Sequence, residues 1–167
     1  MIFFRISLRF NGHDRRLERE MAAVLLFMEA LEGYSDQWRY DVIGHSGETF
    51  NLELVKYDQP PANEKQRFDV LLNMHAHSQF CLAGDHTLEA TRKSIADLSE
   101  ATDIDEAFVI LLSDANLSRY GIPAAQLAQA LSSTENVRYA NFFYCKVTNG
   151  KHFYCNRSGA VFIGSRN

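Results

Sequence analysis

The sequence predicts an α/β fold with a mainly parallel sheet, and three patterns support this. Five consecutive apolar residues, 108–112, are bounded by polar residues, which is typical of a buried strand in a parallel sheet. Apolar residues recur at helical spacing in stretches between the strand-like segments. The segments 38–44 and 48–55 are separated by too few residues for a parallel crossover, so they should form an antiparallel hairpin. Strands that alternate with helices, plus one hairpin, are typical of a doubly wound sheet.

The first half of the chain begins with a predicted strand over 2–10. A turn at 11–14 follows, and Asp14 is a suitable N-cap for the next helix. That helix is predicted to begin near Leu17 and to end at Gly33. Its apolar face consists of Leu17, Met21, Val24, Leu25, Met28 and Leu31.

After the hairpin, a loop over 57–63 precedes a predicted helix over 64–76. One face of this helix carries Phe68, Leu71, Leu72 and His75. A second helix is predicted over 88–98, with Leu88, Thr91, Ile95 and Leu98 at helical spacing.

The last third of the chain follows the strand at 108–112. It contains a predicted helix over 123–131 and a strand-like run over 136–144. The segment 144–155 has a hairpin signature, because Asn149-Gly150 suits a type I′ turn. The run 160–164 again has the composition of a core strand.

Composition limits the classes of partner and compartment. The 167 residues are 46% hydrophobic and 23% charged, as expected for one globular domain with a core. A net charge of −4 without a basic block argues against nucleic acid as a partner. No apolar run approaches the roughly 20 residues of a membrane helix, and the opening residues do not form a secretory signal.

The three cysteines, Cys81, Cys145 and Cys155, have no metal-type spacing, and their odd number favours a reducing compartment. In a hairpin around Asn149-Gly150, Cys145 faces Tyr154 and not Cys155, so a disulfide between these two cysteines is not favoured. Three free thiols are therefore expected under non-reducing denaturation.

The segment Gly44-His45-Ser46-Gly47 follows a strand and is similar to the nucleophile elbow of serine hydrolases. The elbow requires Gly-x-Ser-x-Gly and then a helix, whereas here Glu48 takes the last position and an alternating strand follows. These differences argue against a hydrolase, and we do not expect an enzyme. A serine hydrolase-like enzyme that uses Ser46 or Asp114 is the rival interpretation.

A soft-metal site is a further candidate, built from His75, His77, Cys81 and His86. Their spacing matches no common zinc pattern, and two histidines two residues apart on a helix face different directions. We therefore interpret them as surface and loop residues.

Thr87 and Asp114 are the more informative pair. Asp114 follows the buried strand and Thr87 lies in a loop ahead of a helix, and ligands of open α/β sheets bind at the carboxyl ends of strands. A hydroxyl and a carboxylate are hard oxygen ligands suited to magnesium, but two ligands alone do not hold that ion. The alternative role of Asp114 is to cap the next helix or tighten the turn.

The segments 74–81, 84–87 and 109–121, with the hairpin and the helix after it, closely resemble the von Willebrand factor A domain family. The resemblance covers about residues 9–139. Within this family, the chain resembles the C-terminal domain of a large mitochondrial protein that carries AAA-type ATPase modules upstream. It implies a three-layer sandwich that acts as a protein-binding module, with AAA-type ATPase modules as the expected partner.

The metal-ion-dependent adhesion site of this family takes ligands from three loops. The resemblance assigns the Thr of the second loop to Thr87 and the Asp of the third loop to Asp114. Magnesium is therefore the one cofactor to consider.

The first loop of that site departs from the family pattern. Counted back from residues 9–11, its Asp and two Ser positions fall on Ile2, Phe4 and Ile6. Ser7 is adjacent but out of register, because a shift of one residue turns a strand side chain to the other face. We therefore expect a degenerate site in which magnesium binding is weak or absent.

Both ends of the chain also differ from the family. Residues 141–159 form an atypical insertion in an otherwise single domain over 1–167, and the last helices of the family are missing. A truncated or misassembled reading frame, a non-functional fragment and a genuine divergent isoform are all open interpretations. The resemblance implies a mitochondrial location, whereas the chain carries no targeting signal and would be cytoplasmic if expressed as it stands.

Overall fold

The computed structural model describes residues 1–8, 15–81, 84–113, 120–133, 137–143, 151–155 and 161–165, with side chains as far as Val137. The elements in chain order are β1 (Ile2–Ser7), α1 (Arg16–Ala30), β2 (Tyr40–His45), β3 (Leu52–Val55), α2 (Glu64–Ser78), α3 (Thr87–Glu100), β4 (Ala107–Ser113), α4 (Ala124–Leu131), β5 (Val137–Phe143), β6 (Lys151–Cys155) and β7 (Val161–Ser165).

The main sheet has the strand order β3-β2-β1-β4-β5. β1 is parallel to both β2 and β4, and β5 is parallel to β4. β3 pairs antiparallel with β2 at one edge, which confirms the predicted hairpin and the mainly parallel sheet. β6 and β7 form a separate antiparallel pair.

Side-chain alternation along β1 divides the core into two layers. Ile2, Phe4 and Ile6 are buried in a cluster that includes residues of α1 and α2. Phe3 belongs to the opposite cluster, which is formed with α3, α4 and β4. Because residues two apart along a strand share a face, β1 lies at the centre of a three-layer sandwich. The predicted apolar face of α1 packs against the sheet as expected, with Val24 among its buried residues.

The apolar face predicted for α2 does not pack against the sheet. Phe68 is 58% exposed and Leu72 is 48% exposed. The buried residues of this helix are Arg67, Val70, Met74 and Ser78. Arg67 is buried between the helices because its guanidinium forms ion pairs with Glu29 and Glu32 near the end of α1. A hydrophobicity pattern treats arginine as an exposed polar residue, even when it is buried and paired. The predicted buried face of α2 therefore differs from the observed one.

A buried ion pair joins the neighbouring strands β1 and β2 on the α3 side of the sheet. The guanidinium of Arg5 in β1 contacts the carboxylate of Asp41 in β2, with one N–O distance of 2.6 Å and a second of 3.3 Å. Arg5 also donates to the hydroxyl of Ser94 in α3. Burial raises the pKa of Asp41, and the neighbouring Arg5 opposes that effect. The α3 face of β1 is therefore partly polar, whereas its α1 face is apolar.

The predictions for the C-terminal segment are tested only in part. The strand expected at 160–164 is present as β7. Residues 144–150, which include the Asn149-Gly150 turn and Cys145, lie outside the described residues, so the predicted hairpin over 144–155 stays a prediction. In the described part of this segment, β6 pairs with β7.

Candidate functional site at the carboxyl edge of the sheet

The carboxyl ends of the three central strands bring buried polar side chains together. Ser7 is paired with His45 across β1 and β2. Since Ile6 is paired with Leu112, Ser113 follows in register on the other side of Ser7. Ser7, His45 and Ser113 are all buried. The helices that come next after β1 and β4, α1 and α4, pack on opposite faces of the sheet, and open α/β sheets bind ligands at the carboxyl ends of such strands.

Thr87, the first residue of α3, is fully buried over this row. Its hydroxyl donates to Asp85 Oδ1 over 2.5 Å, and the same carboxylate oxygen accepts the backbone N–H of Thr87 over 2.7 Å. The hydroxyl also lies 2.9 Å from His45 Nε2. Because the hydroxyl proton goes to Asp85, the tautomer that completes this chain carries its proton on Nε2 and donates to Thr87.

His45 is neutral in this arrangement. Its complete burial lowers the pKa to about 3, and the nearby positive groups of Arg5 and His86 add to the effect. The carboxylate of Asp85 lies 4.0 Å from Nε2, which is too far for a hydrogen bond. The residues His45, Thr87 and Asp85 therefore form a chain of hydrogen bonds that begins at the neutral ring of His45 and ends at the carboxylate of Asp85.

The loop after β2 and the loop before α3 are fastened together. His86 Nδ1 lies 2.7 Å from the backbone oxygen of Ser46, within hydrogen-bonding distance. Gly84 has a φ of +102°, and a Cβ at this position would lie 2.9 Å from the Cα of Gly47. This close approach and the left-handed backbone both require glycine at position 84. The two loops therefore lie against each other above the buried polar row. We call residues 46–50 and 84–86 the carboxyl-edge rim.

The geometry around Ser46 is that of a turn. Its backbone N–H donates to the oxygen of Thr49 over 2.8 Å, and its hydroxyl donates to Glu48 Oε2 over 3.0 Å. The edge strand β3 follows, where the nucleophile elbow of a hydrolase would have a helix. The motif at 44–47 is therefore a strand-to-turn connection.

The structure describes only some of the residues that the resemblance assigned to the metal site, so the pairing of Thr87 with Asp114 stays a prediction. Thr87 lies at the carboxyl edge, and Asp114 lies outside the described residues. The first-loop positions Ile2, Phe4 and Ile6 point into the core on the α1 side of the sheet, opposite to Thr87. Ser7 has the other orientation and joins the row beneath Thr87.

The described residues do not match the needs of magnesium. The hydroxyl of Thr87 is engaged by both Asp85 and His45, and Asp85 in turn holds the first turn of α3. In the part of the chain that the structure describes, no group of three or more His, Cys, Asp or Glu side chains is placed to hold a metal ion. Near-octahedral oxygen coordination would require ligands that these residues do not supply.

Sequence reasoning missed the roles of His45, Asp85 and Ser7. The first two lie in the segments 44–47 and 84–87 that carried candidate motifs, but nothing in either segment indicated that they contact each other's loop. The pairing of β2 with β1 and the position of α3 over the sheet bring them together, and the place of His45 directly after a predicted strand was an available signal.

The mainly parallel central sheet with helical layers on both faces is a three-layer α/β sandwich, the fold that the resemblance to the von Willebrand factor A domain family implies. The fold is similar to the crystal structure of the conserved hypothetical protein BatB from Bacteroides thetaiotaomicron, with a TM-score of 0.57 and 12% sequence identity. That similarity covers 99% of this chain and 80% of the BatB chain.

In sequence, the chain is similar to von Willebrand factor A domain-containing protein 8 of Mus musculus, with 56% identity over 129 residues. The match covers 77% of this chain and spans only 7% of the length of the relative. It confirms the resemblance proposed from the motifs. No family model matches the chain. No helix among the described residues is long and apolar enough to cross a membrane.

Proposed function

We propose that this chain is a protein-binding module that contacts its partner through the carboxyl-edge rim. The similarity to a von Willebrand factor A domain-containing protein supports the general class. The observation that carries the proposal is the fastening of the two rim loops through His86, Ser46, Gly84 and Gly47. A rim held in one conformation loses little conformational freedom when a partner binds, which favours affinity.

An aromatic side chain on this rim is available for contact. Phe50 is 41% exposed, and its ring centroid lies 6.5 Å from that of His86. Large aromatic residues supply much of the binding energy of protein interfaces when a partner covers them. Phe50 is therefore our candidate for the main contact residue.

The metal site of the family is degenerate in this proposal. Thr87 is held by protein groups, and the positions of the first-loop ligands carry the core residues Ile2, Phe4 and Ile6. Partner binding then depends on direct contacts with the rim, and magnesium at Thr87 and Asp114 contributes weakly or not at all.

The proposed partner is an AAA-type ATPase module, and the proposed location is mitochondrial. Both follow from the family resemblance. Because the chain spans 7% of the length of the relative, such modules would belong to the part of the relative that lies outside the match.

The proposal can be tested with the ATPase-module segment of the mouse relative, titrated calorimetrically with the full chain. Phe50→Ala should weaken binding about tenfold or more, as expected for a covered aromatic contact. Tyr34→Ala is the matched control, because Tyr34 is 51% exposed but lies near the opposite end of β2. Equal affinity for the wild type and Phe50→Ala, or equal losses in both variants, would contradict binding through the rim.

The rival interpretation as a hydrolase has its own test. The hydroxyl of Ser46 donates to the Glu48 side chain and accepts the Glu48 backbone N–H, so it belongs to a local turn that leads into β3 and not to an elbow followed by a helix. We therefore expect the wild type to show no ester hydrolysis that depends on Ser46. Assays with generic esters should give the same result for the wild type and for Ser46→Ala. Hydrolysis that depends on Ser46 would replace the binding proposal with an enzymatic one.

A further inference from the structure

A groove of about 460 Å³ runs between the edge strand β3 and helix α2. Its strand wall is formed by residues 53–56, and its helix wall includes Asp69, Val70 and Asn73. The loop at 59–62 closes one end. This groove lies at the edge of the sheet, away from the row of polar residues at the carboxyl edge.

The strand wall of the groove has a free backbone edge. Among the described strands, β3 pairs only with β2. Lys56 makes a single bridge to Gln59, beyond the end of the strand. An edge strand presents N–H and C=O groups that an extended chain can pair with, and a groove between such a strand and a helix fits a peptide backbone.

The side chains in the groove define what that peptide should carry. Val70 is buried and Leu54 is half-buried, so the floor is apolar. Asp69 is exposed on the helix wall and has no ion-pair partner among the described residues. On the strand wall, Glu53 and Lys56 lie 3.4 Å apart and compensate each other. The charge that is left uncompensated in the groove is therefore the carboxylate of Asp69.

We infer that this groove binds an extended peptide segment of a partner protein, which adds as a strand to β3. An apolar side chain of the peptide packs on Leu54 and Val70, and a Lys or Arg side chain approaches Asp69. Side chains of a strand alternate between its two faces, so the backbone supplies the pairing and the alternating side chains supply the selectivity. This surface is separate from the rim and does not depend on the function proposed there.

The probes are acetylated and amidated hexapeptides of alternating Thr and Val, each with one Lys at a different position. Binding is followed by the backbone amide NMR signals of the full chain. Shifts should be confined to residues 53–56 and 66–73, at peptide concentrations of up to about 1 mM, where binding with a Kd of about 1 mM becomes visible. N-methylation of alternate peptide nitrogens removes the donors for strand pairing and should weaken binding about tenfold.

Two changes of charge test the role of Asp69. Asp69→Lys should weaken binding of the Lys peptide roughly fivefold, and replacement of that Lys by Glu should favour the variant over the wild type by a similar ratio. Glu89→Gln is the control, since Glu89 is an exposed acid on α3, at the other face of the sheet. The inference is overturned if no peptide shifts the groove signals, if N-methylated peptides bind equally well, or if the shifts lie at the carboxyl-edge rim.

Discussion

His45 gives a direct test of the hydrogen-bond chain at the carboxyl edge, because its imidazole is fully buried and its pKa is lowered to about 3. The neutral ring donates from Nε2 to Thr87. The charged ring would carry a second proton on Nδ1, for which the described residues provide no acceptor. In the unfolded chain the same imidazole has its ordinary pKa of 6.5. The folded state therefore excludes a proton that the unfolded state readily binds.

The sign of the pH effect follows from this difference in pKa. Below pH 6.5 the unfolded state binds more protons than the folded state, so the free energy of unfolding falls as the pH falls toward 3. The contribution of His45 is fully present above pH 6.5 and is lost progressively below it. Each pH unit within this range costs about 1.4 kcal/mol. Between about pH 7.5 and about pH 5, the loss from His45 alone should be about 2 kcal/mol.

The assay is urea denaturation of the wild type and of His45→Gln at these two pH values. Glutamine retains an N–H donor for Thr87 but does not titrate, so the variant should lose about 2 kcal/mol less stability on acidification than the wild type. Carboxylates contribute equally to both proteins and cancel in the comparison. His75→Gln serves as the control, because His75 is exposed on α2. Equal acid losses in the wild type and His45→Gln would refute the buried, neutral state of His45.

Other variants test the metal site, the buried ion pair and the rim. Asp114→Ala should leave the calorimetric response to magnesium unchanged, and a saturable isotherm that this variant abolishes would show a working site. Asp41→Ala leaves the buried Arg5 without its partner and should cost about 3–5 kcal/mol in urea denaturation, whereas a loss below about 1 kcal/mol would contradict its burial as a paired charge. Gly84→Ala should lower stability by about 1–3 kcal/mol, because φ is +102° and the new Cβ would meet the opposite loop. The control Gly33→Ala also has a positive φ but meets no atom within 4 Å, so thermal unfolding should show a smaller loss.

The order of strands and helices could be predicted from the sequence because burial and periodicity coincide in most elements. In α1 and α3 the apolar spacing matches the buried face. In α2 the relation fails, since Arg67 is buried through its ion pairs with α1 while Phe68 and Leu72 are exposed. Periodicity reports hydrophobicity alone, and the partner that neutralises a buried charge lies on another element. A hydrophobicity pattern along one segment therefore cannot predict that a charged residue such as Arg67 is buried.

The candidate site was less accessible to sequence reasoning than the fold. Thr87 was singled out as a candidate metal ligand in a loop ahead of a helix, and this role stays a prediction, whereas the structure places Thr87 at the carboxyl edge as the first residue of α3. The contact between His45 and Thr87 spans 42 positions and exists because α3 begins beside the carboxyl end of β2. Ser7 was set aside because alternation turns it away from Ile6. That alternation is present in the structure, and it directs Ser7 toward the face of the sheet that α3 covers.

The two faces of β1 explain how the fold can form with apolar residues at the first-loop positions of the family's metal site. Ile2, Phe4 and Ile6 contribute to the core against α1, so apolar residues at these positions stabilise the central strand. On the opposite face, the hydroxyl of Thr87 obtains its hydrogen bonds from His45 and Asp85, so this hydroxyl is satisfied by protein groups. A single strand thus supplies apolar packing to one layer and polar contacts to the other. The packing of the central strand and the polar contacts at the carboxyl edge are therefore carried by different faces of β1 in this chain.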